Sequence, residues 1–144
     1  MHLVYTHSMR ELLKEKGYKI TPARLSILEI FTKNDKPIDA ENIYQKLLKT
    51  KGGKGIDPAT VYRTLLAFTE SGILKRVDLR KESIAFELDD THHHHIVCTK
   101  CETVEDFENK EIEQALEKII KKSTKFKKIK EHSLELFGLC KVCS

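Results

Sequence analysis

Ile56-Asp57-Pro58-Ala59-Thr60-Val61-Tyr62-Arg63-Thr64-Leu65-Leu66-Ala67-Phe68-Thr69-Glu70-Ser71-Gly72 is the stretch that decides how the chain folds. Asp57 offers a side-chain oxygen to the free N–H groups of a helix start, and Pro58 brings the fixed φ that suits a first helical position. Ile56 before the cap and Val61 inside the helix form a hydrophobic staple. Leu65 and Phe68 continue the apolar stripe, and Gly72 stops it. Toward the C-terminus, residues 74–79 and 84–88 are two short strand-like runs joined by the polar turn Arg80-Lys81-Glu82-Ser83. Toward the N-terminus, Asp39 caps another helix, with Ile38 and Ile43 as its staple. Thr21-Pro22 opens a helix that turns Ile27, Leu28 and Phe31 inward. Met9, Leu12, Leu13 and Lys16 share one face of a first helix that ends at Gly17. Helices followed by a β-hairpin give the outline of a winged helix-turn-helix. Gly52-Gly53-Lys54-Gly55 reads as a flexible loop, since no helix with Lys-Ser/Thr follows it in the register a phosphate-binding loop requires.

The second half changes character. Strands are expected over 92–99 and 103–107, then a helix with Ile112, Ala115, Leu116, Ile119 and Ile120 at offsets of three and four, then a last strand over 129–139. The expected fold class is therefore α+β: a winged-helix domain over 1–89 and a small α/β domain over 90–144. A unit so short rarely buries enough apolar area by itself and needs metal, disulfides or a partner copy.

The chain has 144 residues, 40% of them hydrophobic, and a formal net charge of +4. That balance favours polyanions without identifying one. The lysine runs at 121–122 and 125–128 read as solvated surface. No apolar run is long enough to span a bilayer, and Met1-His2-Leu3-Val4-Tyr5-Thr6 lacks the charged and apolar regions of a secretory signal. The expectation is a cytoplasmic protein without membrane contact.

Its four cysteines form two pairs, Cys98-x-x-Cys101 and Cys140-x-x-Cys143. Two such turns can close a tetrahedral four-thiolate zinc site, and a site of this kind supplies about 10–16 kcal/mol of apparent binding energy that becomes folding energy. A redox dithiol and two disulfides are the alternatives. Four thiolates on one ion leave neither an open coordination position nor a reactive thiol, so the reading is not an enzyme.

His92-His93-His94-His95 runs directly into the first cysteine pair. Side chains alternate across a strand, so His92 and His94 face one way, His93 and His95 the other, and each pair can seed a metal site. Glu87 and Asp106 are carboxylates at hand. Glu87, His93, His95 and Asp106 form an oxygen- and nitrogen-rich set suited to Fe2+, Mn2+ or Zn2+. Without an ion the two carboxylates repel across a hinge; a divalent cation cancels both charges and ties the halves together. The competing reading is a solvated polar strand.

Thr21-Pro22-Ala23-Arg24, Ala59-Thr60-Val61-Tyr62-Arg63-Thr64-Leu65, His92 through Cys98 with Cys101, and His132-Ser133-Leu134 leading to Cys140 together resemble the ferric uptake regulator family over roughly residues 6–144. The resemblance implies a winged helix hinged to an α/β dimerisation domain, and a homodimeric repressor of palindromic operator DNA. By it, Tyr62 and Arg63 lie on the major-groove recognition helix and Lys19 reaches the minor groove. Cys98, Cys101, Cys140 and Cys143 correspond to structural zinc, and Glu87, His93, His95 and Asp106 to the regulatory site. His92, His94, Glu113 and His132 correspond to an additional site. Two departures bear on the metal sensed. Pro37 stands where many members have a regulatory histidine, which weakens a peroxide-sensing role. The wing ends Phe86-Glu87-Leu88 with no cysteine, which favours iron; Asp78 as an alternative wing carboxylate keeps zinc open.

Overall fold

The computed structural model describes the backbone of residues 5–144 and the side chains from Met9 onward, so the opening stretch read above for a secretory signal lies largely outside the described residues. The chain divides into two units, Met1–Asp90 and Thr91–Ser144.

The first unit runs α1 (Tyr5–Glu15), α2 (Pro22–Lys33), β1 (Ile38–Asp39), α3 (Ala40–Leu47), α4 (Pro58–Glu70), β2 (Leu74–Val77) and β3 (Ala85–Leu88). Its caps follow local chemistry. Thr21 accepts from the Arg24 N–H at 3.2 Å, Asp39 from Asn42 at 2.9 Å and Asp57 from Thr60 at 2.7 Å. Gly17 ends the first helical segment at φ +80, a left-handed value that favours glycine. Gly53 has a different reason to lack a side chain: a Cβ there would lie 2.2 Å from the Leu47 carbonyl oxygen, so the loop entering α4 can run close over α3.

One apolar core joins these elements. Leu13, Ile27, Leu28, Ile43, Leu47, Val61, Leu65 and Phe68 are fully buried, with Phe31 and Phe86 beside them. Each fully buried side chain is worth about 1.5–3 kcal/mol relative to exposure. The small sheet has the order β1-β3-β2, all antiparallel. The short strand β1, with Ile38 opposite Phe86, was not legible in the sequence, where Ile38 reads as a staple residue and Asp39 as a helix cap. β2 ends at Val77 rather than 79, because Asp78 Oδ1 accepts the Arg80 N–H at 2.9 Å and Arg80 turns the chain at φ 58.

The second unit contains β4 (His94–Cys98), β5 (Val104–Phe107), α5 (Lys110–Lys122) and β6 (Glu135–Gly138). Its sheet order is β5-β4-β6, with β4 antiparallel to β5 and parallel to β6. Asn109 caps α5 by accepting from the Ile112 N–H at 2.9 Å, Glu111 and Glu113 sit in the first turn, and Lys121 and Lys122 in the last, all favourable to the helix dipole. The last strand is much shorter than the expected 129–139. Pairing begins where the Leu134 carbonyl accepts from the His95 N–H at 3.2 Å, and the lysine-rich segment before it forms no strand. No residue of α5 is fully buried: Ile112, Leu116 and Ile120 are half-buried, and Ile119 is exposed. Among the described residues, no helix is long and apolar enough to cross a membrane.

Candidate functional site

Three groups of side chains carry the chemistry, and the central strand β4 contributes to each. The cysteines come first. Cys98 closes β4, Cys101 follows in the turn to β5, and Cys140 and Cys143 lie just beyond β6, which runs beside β4 with Cys98 opposite Gly138. The register thus brings two sequence-distant pairs together, and the four Sγ atoms lie within 4.8 Å of one another. Cys101 Sγ and Cys140 Sγ are 3.7 Å apart. Bonded sulfurs sit near 2.0 Å, whereas two thiolates at about 2.3 Å from one tetrahedral ion are separated by roughly 3.8 Å. The spacing fits zinc and not a disulfide, and all four thiols are free.

The local backbone favours thiolates. Cys98 Sγ accepts from the Cys101 N–H at 3.5 Å and the Cys140 N–H at 3.4 Å, which pulls its pKa down to about 6. Cys101 is lowered too, chiefly by the Thr103 hydroxyl at 3.1 Å. Cys143 is pushed up to about 12 by the neighbouring sulfurs of Cys140 and Cys101. Crowded sulfurs of this kind resist further negative charge, and a dication among them removes that resistance.

The second group lies where β4 faces α5. His92, His94, Glu113 and His132 offer ligand atoms within 4.8 Å of one another. Glu113 Oε1 is 2.6 Å from His94 Nε2 and 3.0 Å from His92 Nε2, and its Oε2 is 2.9 Å from His132 Nε2. The His94 hydrogen bond, followed by His92, lowers the Glu113 pKa and keeps the carboxylate ionised. His132 Nε2 is buried yet makes no hydrogen bond despite that short approach. Nitrogen and oxygen therefore meet side by side, the posture of two ligands turned to a common centre. Three imidazoles and one carboxylate form a donor set that suits zinc, iron or manganese.

The third group uses the opposite face of β4. The rings of His93 and His95 are 4.9 Å apart, and His95 is buried. Asp106 is its cross-strand neighbour on β5, with Oδ1 3.8 Å from His95 Nε2. A second carboxylate, Glu135, is its neighbour on β6, with Oε1 3.8 Å from His95 Nδ1. Glu135 went unnoticed in the sequence because nothing there reveals that β6 runs parallel to β4 in this register. Glu87, expected to complete this set, belongs to the first unit, where it is buried on β3 with Oε1 3.4 Å from Lys75 Nζ. Asp78, the alternative, is engaged in the wing turn.

In the first unit α4 buries Val61, Leu65 and Phe68 and turns Tyr62 and Arg63 to solvent, Tyr62 being 47% exposed. An exposed tyrosine beside an arginine in the second turn of a capped helix offers an apolar ring and a five-donor fork to a polyanion. Arg63 Nη2 donates to Thr60 Oγ1 at 3.2 Å, which fixes its direction. Lys19 is exposed in the loop before α2. There Arg24 donates to the Lys19 carbonyl at 2.8 Å and stacks over the Tyr18 ring at 5.3 Å.

The sequence pattern of the ferric uptake regulator family matches residues 15–137. A ferric uptake regulation protein of Neisseria gonorrhoeae is 40% identical over 133 residues, covering 91% of this chain and 90% of its own length. Among solved structures, the Vibrio cholerae ferric uptake regulator aligns with a TM-score of 0.73 and 37% identity, over 91% of this chain and 98% of that one. The ferric uptake regulator of Francisella tularensis, solved with iron, aligns with a TM-score of 0.74 and 36% identity, over 88% and 95%. A winged helix joined to a small metal-ligand-rich α/β unit, and likeness of this extent, agree: the chain belongs to the ferric uptake regulator family.

Proposed function

We propose that this protein is a metal-responsive transcriptional repressor, most simply an iron sensor, that acts in the cytoplasm and binds palindromic operator DNA as a homodimer. The observation that carries this is that four consecutive histidines, His92 and His93 just before β4 and His94 and His95 on it, gather alternately into two groups, each with a carboxylate, in a chain that also exposes Tyr62 and Arg63 on a capped helix. In this reading Cys98, Cys101, Cys140 and Cys143 hold structural zinc. Glu87, His93, His95 and Asp106 hold the regulatory ion, whose capture fixes the reading head relative to the pairing module. His92, His94, Glu113 and His132 hold a further ion. Glu87 is preferred to Asp78 because Asp78 is committed to the wing turn. Iron is preferred to zinc because the regulatory set contains no thiolate.

Tyr62 and Arg63 read the major groove and Lys19 enters the minor groove. The homodimer is supported by α5, whose Ile119 is 64% exposed, and by the exposed Leu136 and Leu139 of the same unit.

The test is operator binding at buffered free Fe2+, Mn2+ and Zn2+, using an A/T-rich pseudo-palindromic duplex. Binding is expected with Fe2+ or Mn2+ and lost with chelator, and His93→Ala with His95→Ala abolishes the response. Arg63→Ala is expected to cost roughly 1–3 kcal/mol of base discrimination. Equal affinity with and without metal overturns the switch.

A further inference from the structure

His95 lies on the middle strand of a three-stranded sheet, and each flanking strand sets a carboxylate directly opposite it. Asp106 is its partner on β5 and Glu135 its partner on β6. Paired residues on adjacent strands point to the same face, so the three form one row, Asp106–His95–Glu135. The imidazole in the middle has its Nε2 toward Asp106 and its Nδ1 toward Glu135, each at 3.8 Å. We propose that Glu135 is the positioning carboxylate of the regulatory ion site: it receives the Nδ1–H of His95 and so turns the Nε2 lone pair toward Asp106 and the ion. This rests on the assignment of His95 and Asp106 as ligands of that ion.

The two nitrogens of an imidazole point in divergent directions, so one ion takes only one of them. If Asp106 shares the ion with Nε2, the proton of a neutral ring sits on Nδ1, and the group facing that proton is Glu135. A ligating histidine that donates its other N–H to a carboxylate gains both a fixed tautomer and a more basic ligating nitrogen. Burial separates the two acids. The Glu135 side chain is 17% exposed and that of Asp106 38%, so Glu135 backs the ring from inside while Asp106 stands at the open side. A mostly buried carboxylate is costly without a donor, and His95 is a donor it directly faces. Closing the gap by roughly 0.8 Å brings Nδ1 and Oε1 to hydrogen-bond length.

The competing account is that Glu135 merely keeps a short edge strand soluble. Full-length protein with zinc on its cysteines separates the two. Co2+ serves as the probe ion, with affinity measured by chelator competition, the visible absorption bands recorded, and the His95 tautomer read from ring nitrogen NMR shifts. Glu135→Gln preserves shape and is expected to weaken Co2+ binding about 10–100-fold. It is also expected to shift the Co2+ bands and lose the Nδ1–H tautomer, with Glu135→Asp recovering part of each. Zinc content and unfolding midpoint report on folding alone. Co2+ affinity and bands in Glu135→Gln matching the parent overturn the proposal, as does an Nε2–H tautomer in the parent, which needs no variant. His95→Ala is the control on the underlying assignment. If it leaves Co2+ binding intact, the ion site itself is misassigned; if it abolishes binding while Glu135→Gln does not alter it, only the role of Glu135 fails.

Discussion

The two units of this chain solve the problem of holding a small fold together in different ways. The first gathers a continuous apolar core from every one of its elements, from Met9 on α1 to Leu88 on β3. In the second, the buried side chains are Val97, Cys98 and Val104 together with His94 and His95, and its only helix buries none. Apolar packing supports the first. Convergent ligands support the second. A unit supported by ligands responds to ion supply, whereas a packed core does not.

The largest effect that can break this comparison is metal removal. Stripping zinc, or Cys140→Ser, is expected to erase amide protection across 91–144 while 9–88 keeps its own, as followed by hydrogen exchange with mass spectrometry. Protection lost equally in both units would show that they are not separately supported. A middle-sized effect should run the other way. Leu65 is fully buried in α4, and Leu65→Ala is expected to cost about 2–5 kcal/mol in denaturant unfolding of the first unit. Zinc retention by the cysteines should not change; a variant that loses zinc in parallel contradicts the division.

The smallest effect sharpens the picture of how α4 starts. Thr60 donates its backbone N–H to the Asp57 carboxylate, which holds that group below the ordinary aspartate range. A depressed carboxylate contributes stability that is complete above its unfolded value, about 3.9, and is lost as pH falls through the lower folded value. Asp57→Asn keeps a capping oxygen but no charge. It is expected to be nearly neutral at pH 7 and to flatten the acid limb of the first unit's thermal midpoint between pH 5 and 2. An unchanged acid limb removes the cap from the account.

The local parts of this molecule were legible without coordinates. Caps at Thr21, Asp39 and Asp57, the staples, the hairpin and the alternation of the histidines are properties of residues within a few positions of one another, governed by backbone geometry and nearest-neighbour hydrogen bonds. The pairing of Cys98 and Cys101 with Cys140 and Cys143 could be read as a site because the residue types are so restrictive, although nothing in their spacing fixed the geometry. Illegible were β1, the late start of β6 at Glu135, and the contact of Glu135 with His95. These depend on which strands pair and in which register.

What the chain determined by itself was therefore the set of elements and the kinds of ligand it carries, since both are encoded in short-range pattern and side-chain chemistry. What only the tertiary structure decided was partnership: that β6 runs parallel to β4, and that a buried imidazole stands between two carboxylates. Strand register is a long-range choice, made by the summed packing of a whole face, and a sequence read in order contains no single residue that records it.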